Sequence, residues 1–184
     1  MEESGKNNIT FVLHITITIH YSKAMFIGCY KAKVDDKGRL ILPSAFKCAL
    51  GEGADLRFVV KKSLFSPCLE MYAYARWEAE SEEVRKKLNF FNPEHAQFWR
   101  EYMRDTAVVE PDGKLGRVTI PKELMAQAGI GKEVIFAGNN HIIEVWSKDI
   151  YESSRLSSEN FVALAEKILG EEGPECQPIT SPSC

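Results

Sequence analysis

Two short stretches of this sequence set long cations beside a turn. The first, KVDDKGRLILP, begins at Lys33 and brings Asp35, Lys37 and Arg39 close together; the second, DGKLGRVTIP, begins at Asp112 and carries Lys114 and Arg117. An arginine is a planar fork of donors that matches a phosphate or a base edge, and a lysine is a mobile point charge for the same anions. Such residues hold anions and break no bonds. The alternative is a solvated face on which each arginine is tied to a neighbouring aspartate. Charge alone decides little, because Lys31, Lys33, Lys37, Arg39 and Lys47 exceed Asp35 and Asp36 by three, whereas Lys114, Arg117 and Lys122 are matched by Glu110, Asp112 and Glu123.

Bond-making chemistry has less to work with. His14, His20, His95 and His141 show no metal-ligand spacing, and GKLGR lacks the longer glycine and lysine pattern of a phosphate loop. Asp35 and Asp36 are adjacent on an extended segment, so their side chains diverge and make a poor metal pair. Trp77, Trp99 and Trp146 fall where helices and strands face a core and read as packing. No catalytic residue, cofactor site, metal site or small-molecule substrate is expected.

The elements around the turns occur twice. Placing Arg39 over Arg117 aligns Leu40 with Val118, Leu42 with Ile120, Pro43 with Pro121, Phe46 with Leu124 and Gly51 with Gly129. Further on, Leu69 to Tyr72 fall over Ile143 to Trp146, and four extra residues lie in a loop of the first copy near Ser63 to Pro67. DDKG is hairpin-turn chemistry, with an aspartate that bonds its own backbone and a glycine free to take positive φ. In RLILP the alternation puts Leu40 and Leu42 on one face and Arg39 with Ile41 on the other. Pro43 suits the first turn of a short helix on which Phe46, Ala49 and Leu50 share a side. RFVV and CLEMY then read as strands in the first copy, as do EVIF and HIIEVW around a Gly-Asn-Asn turn in the second.

One copy, at about 45 residues, is too small to stand alone comfortably. Helices are expected after each copy, and between them Asn92 caps and Pro93 opens another with Ala96, Trp99 and Met103 on one side. The fold class is α+β and β-rich. Its divisions are an extension over 1–24, a first unit over 29–78, connecting helices over 79–105, a second unit over 106–152, a helix over 153–170 and a disordered tail over 171–184.

A balance of 45% apolar and 27% charged residues is that of a globular chain. Between residues 25 and 170 cations equal anions, so any binding of nucleic acid must rest on where the charges sit. Five cysteines, at positions 29, 48, 68, 176 and 184, form no C-x-x-C pair and point to a cytoplasmic protein. No apolar run is long enough to span a membrane. NNITFVLHITITIHYSKA alternates and makes a poor signal peptide; Met25, where the patterned sequence begins, is the expected natural start.

VDDKGRLILP followed by GRVTIP, with the opening MFIGCY and the pre-helix IEVWSKDIYE, resembles the MraZ family of bacterial transcriptional regulators, relatives of AbrB-type DNA-binding proteins. The resemblance covers roughly Met25 to Leu169. It implies two tandem swapped-hairpin β-barrel units with short helices, joined by helices. It further implies a ring-like homo-oligomer in the nucleoid, binding double-stranded DNA at repeated promoter boxes before the division and cell-wall gene cluster, usually as a repressor. The family signature, aspartate, three residues, arginine, fits Asp35 and Arg39, while in the second copy four residues separate Asp112 from Arg117. Lys33, Asp35, Lys37, Arg39, Lys114 and Arg117 are the implied DNA-binding residues. An antitoxin-like or scaffold module holding a protein partner is the alternative.

Overall fold

The computed structural model describes residues 24–113 and 115–170, so the expectations for the N-terminal extension before Ala24, for Lys114 and for the tail after Gly170 lie outside the described residues. In the first copy β1 (Phe26–Lys33) leads into the turn, β2 (Arg39–Ile41) leaves it, and α1 (Ser44–Leu50) follows. β3 (Phe58–Lys62) and β4 (Leu69–Ala73) come next, and α2 (Tyr74–Lys86) and α3 (Pro93–Met103) lead to the second copy. There β5 (Ala107–Val109), β6 (Arg117–Thr119), α4 (Lys122–Gln127), β7 (Glu133–Asn140) and β8 (Ile142–Ser147) repeat the order, and α5 (Lys148–Ser153) and α6 (Ser158–Leu169) follow. The chain divides after Tyr151 into a body and a C-terminal unit. That unit holds α6, whose first turn is capped by Ser157 Oγ accepting the Asn160 N–H at 3.2 Å.

Strand pairing joins the copies. β3 pairs with β4 and β7 with β8, so each copy keeps its last two strands as a hairpin. Its first two go to the other copy: β1 pairs with β7, β5 with β3, and β2 with β6, all antiparallel. The result is one six-stranded sheet in the order β1-β7-β8-β4-β3-β5 and a separate two-stranded ribbon of β2 and β6. The protein is α+β with an antiparallel, β-rich body. Closure into two barrels is not seen among the described strands, because the sheet ends at β1 and β5.

The alternation read from RLILP holds: Leu40 and Leu42 are buried and Ile41 is exposed. They enter a core shared by both copies, with Phe26, Phe46 and Phe58 from the first and Val118, Ile120, Leu124 and Phe136 from the second. Phe26 and Phe46 meet edge to face at 5.6 Å. Each such buried side chain contributes about 1.5–3 kcal/mol by leaving water, and both copies supply them.

Two local expectations need correction. Pro43 stands one residue before α1, at its cap, rather than in its first turn. β7 runs through Gly138 and Asn139, and the chain reverses at Asn140, whose φ is 58°, and His141. Gly138 serves another purpose: a Cβ there would lie 2.5 Å from the Phe26 carbonyl carbon. It lets β1 cross closely, a tertiary demand that local turn chemistry does not reveal.

The helices between the copies are held by aromatic rings. Asn92 caps α3 by accepting the Glu94 N–H at 2.9 Å, as its sequence implies. Trp77 of α2 stacks on Tyr102 of α3 at 5.5 Å, and Trp99 stacks on Tyr102 at the same distance. Lys61 is buried beneath them, its ammonium 4.1 Å from the Tyr102 ring centre and 5.2 Å from that of Trp77. Burial lowers its pKa, and Glu70, its cross-strand partner, acts the other way. Trp77 and Trp146 are buried and Trp99 is half-buried, so all three serve packing. Among the described residues no helix is long and apolar enough to cross a membrane.

Candidate nucleic-acid interface

In the first turn the Asp35 N–H donates to the Arg39 carbonyl and the Gly38 N–H to the Asp35 carbonyl, each at 2.9 Å, with Gly38 at φ 76°. The side chain of Asp35 then binds the turn to its arginine. Oδ1 accepts the backbone N–H groups of Lys37 and Arg39, both at 2.9 Å. Oδ2 accepts Arg39 Nε at 2.9 Å and lies 2.7 Å from Nη2. The Arg39 guanidinium, followed by the Arg39 and Lys37 amides, lowers the Asp35 pKa from 3.8 to about 2, so the clamp is charged at any physiological pH. Nε and one Nη2 proton are used, which leaves the outer edge of the guanidinium, Nη1 with the second Nη2 proton, as a free bidentate fork.

The second turn is built differently. Asp112 and Arg117 exchange backbone bonds of 2.7 and 3.1 Å, with Gly113 and Gly116 at φ 59° and 63°. Among the described residues no bond joins the Asp112 carboxylate to the Arg117 side chain, so the longer spacing keeps the hairpin and loses the clamp.

Pairing of β2 with β6 brings the turns into one site. Arg39 lies opposite Thr119, Leu40 opposite Val118, and Ile41 opposite Arg117. Leu40 and Val118 point inward and are buried, which puts Arg39, Ile41, Arg117 and Thr119 together on the outer face. As diagonal neighbours, the two arginines are about 7–8 Å apart at the backbone. They are related by a pseudo-two-fold axis through the Leu40–Val118 pair.

The other implied residues are placed less centrally. Lys37 is exposed at the tip of the first turn. Lys33, at the end of β1, lies 3.8 Å from Glu133, whose carboxylate also takes Lys148 at 2.9 Å. Lys148, then Lys33, keep the Glu133 pKa below its usual value, and part of the Lys33 charge is answered within the protein.

Lys47 entered the sequence reading only in the charge count of the first copy, not as an implied DNA-binding residue. It leaves the last turn of α1 and lies along the second turn, with Nζ 2.6 Å from where a Gly116 Cβ would stand. A signal for it exists in the alignment of the copies, which puts Met125 at its position.

The four histidines offered no ligand pattern, and the two that are described each have a backbone partner. His95 Nδ1 accepts the Asn89 N–H at 2.9 Å, and His141 Nδ1 lies 3.3 Å from the Ala24 carbonyl. Among the described residues no group of three or more His, Cys, Asp or Glu could hold a metal ion.

The chain matches the family described as "MraZ protein, putative antitoxin-like" over residues 25–101 and 103–171. It is 39% identical to the transcriptional regulator MraZ of Christiangramia forsetii over 147 residues, which are 79% of this chain and 94% of that one. Identity to the transcriptional regulator MraZ of Bacteroides fragilis is 34%, over 80% of this chain and 92% of the relative. For the Moorella thermoacetica protein of the same name it is 36%, over 79% and 97%. These relatives are, by name, transcriptional regulators. The chain belongs to the MraZ family.

Proposed function

We propose that the protein is a DNA-binding transcriptional regulator and that the β2–β6 ribbon is the surface that meets the duplex. The observation that carries this reading is the placement of Arg39 and Arg117, both half-buried, on the outer face of a two-stranded ribbon, since a two-stranded ribbon fits the major groove. The free fork of Arg39 matches O6 and N7 of a guanine. Lys33 and Lys37 belong with the phosphates on either side, Lys114 is a further DNA-binding residue implied by the family resemblance, and Asp35 acts through Arg39.

The exchange of first strands between the copies supports a pair of swapped-hairpin units, 29–78 and 106–152, joined by the helices of 79–105 and followed by 153–170. One subunit offers few cations for binding a duplex. Assembly into a ring that presents many ribbons to repeated promoter boxes would supply the missing affinity through effective concentration. The protein would act in the cytoplasm, at the nucleoid, as a repressor of the division and cell-wall genes. No step of this function calls on a catalytic group or a cofactor.

The test is a gel shift of the purified protein against the DNA upstream of its own gene at low and at high ionic strength. A retarded complex that dissolves at high salt is expected, because phosphate contacts release counterions. Absence of a complex at low salt would overturn the proposal.

A further inference from the structure

We infer that the two hairpin tips do different work, the first reading bases through Arg39 and the second gripping the phosphate backbone through Arg117 and Lys47, a cation that no motif assigns to the site. This rests on the reading of the ribbon as a DNA-binding surface and concerns how its two halves divide that task.

The inference begins with a broken symmetry. The ribbon and its turns are pseudo-two-fold, yet among the described residues only the first turn has an aspartate clamp on its arginine. A guanidinium held at two of its nitrogens presents a fixed edge, as discrimination between bases requires. Arg117 has no carboxylate partner among the described residues. A flexible cation suits phosphates, which present the same charge at every base pair.

The second asymmetry strengthens the first. Lys47 is carried by α1 of the first copy but lies on the turn of the second, its stem passing over Gly116 beside Arg117. Among the described residues no carboxylate pairs with its ammonium. The matching position of the second copy is Met125, which is buried and belongs to the core, so among the described residues the first turn receives no such cation. Gly116 is the accommodation for this crossing: its φ of 63° and the absence of a side chain leave the space that Lys47 fills. One tip thus has a clamped reader and the other a pair of cations with no carboxylate partner among the described residues. A single subunit then carries a direction, with a sequence-reading end and an anchoring end.

The full-length protein and its variants are titrated by fluorescence anisotropy against the upstream duplex and a scrambled duplex of equal length, over a range of salt. Lys47→Met, which copies the second repeat, should weaken both duplexes by the same factor and reduce the salt slope by about 0.9 per bound subunit, so that raising salt from 50 to 200 mM costs it roughly 3.5-fold less than the parent. Lys47→Arg keeps the charge and should keep the slope. Arg39→Ala should instead lose the preference for the upstream duplex. Circular dichroism melts establish that each variant is folded. An unchanged slope in folded Lys47→Met, or a change in preference between duplexes without a change in slope, would overturn the division of labour. If the unaltered protein binds neither duplex, the DNA-binding reading itself fails, which is a separate outcome from normal binding with an indifferent Lys47.

Discussion

Replacing Asp35 with asparagine (Asp35→Asn) would keep the first turn and release its arginine. The amide oxygen can still accept the Lys37 and Arg39 N–H groups that Oδ1 accepts now, and asparagine favours this kind of turn. An NH2 group would then stand where Oδ2 receives Arg39 Nε and Nη2, and donor would face donor. Arg39 would have to be ordered by the DNA instead of by the protein. Immobilising one long side chain at an interface weakens binding by roughly 2- to 13-fold, and that is the expected loss in affinity for the upstream duplex. Removing a negative charge beside the phosphates acts the other way on any sequence, so affinity for a scrambled duplex should hold or rise. Anisotropy titrations of both duplexes measure the ratio. An unchanged ratio in a folded Asp35→Asn protein would refute the clamp as an aid to reading. The acid response follows from the same contact. The folded pKa of about 2 lies below the ordinary 3.8, so the clamp's stabilisation is complete above the ordinary value and disappears as pH falls through the folded one. The stability gap between parent and Asp35→Asn should therefore close between those two pH values in acid-unfolding curves.

Leu40→Ala removes a buried leucine from the core shared by the copies and should cost about 2–5 kcal/mol in denaturant unfolding, with Ile41→Ala on the exposed face nearly silent. Gly138→Ala would drive a methyl group into the backbone of β1 and should destabilise by about 1–3 kcal/mol, a cost that melts can read against the milder Gly113→Asn, where nothing lies within reach of a Cβ and asparagine accepts the φ of 59° better than other side chains. Cys68 is buried and its pKa is pushed up to about 12, chiefly by desolvation, so it stays a protonated thiol. Iodoacetamide at mildly alkaline pH should label the exposed Cys29 and Cys48 in the native protein, and Cys68 only after denaturation, as peptide mass spectrometry would show.

The parts of the site that depend on neighbours in sequence are legible without a structure. Asp35, Gly38 and Arg39 specify their turn by local hydrogen bonds, and the alternation through Leu40 and Leu42 tells which side of β2 carries the arginine. The doubling of the phrase points to two related tips. What local pattern cannot carry is pairing across about a hundred residues. β1 and β7 look like ordinary strands wherever their partners lie, so the exchange between copies, and with it the meeting of Arg39 and Arg117 on one ribbon, comes only from the fold. The same holds for Gly138, whose task is set by Phe26, and for Lys47, whose side chain crosses to the other copy. Lys61 eludes sequence reading for a different reason: a lysine at a strand end suggests solvent, and the rings that cover it come from two later helices.

The central claim is that a ribbon with two arginines on its outer face grips DNA, and the double variant Arg39→Ala with Arg117→Ala tests it most directly. Both side chains lie on the outer face of the ribbon, so the variant should melt within a few degrees of the parent while its affinity for the upstream duplex at low salt falls to that of unrelated DNA or below detection. A folded double variant that binds the upstream duplex as tightly as the parent would contradict the account.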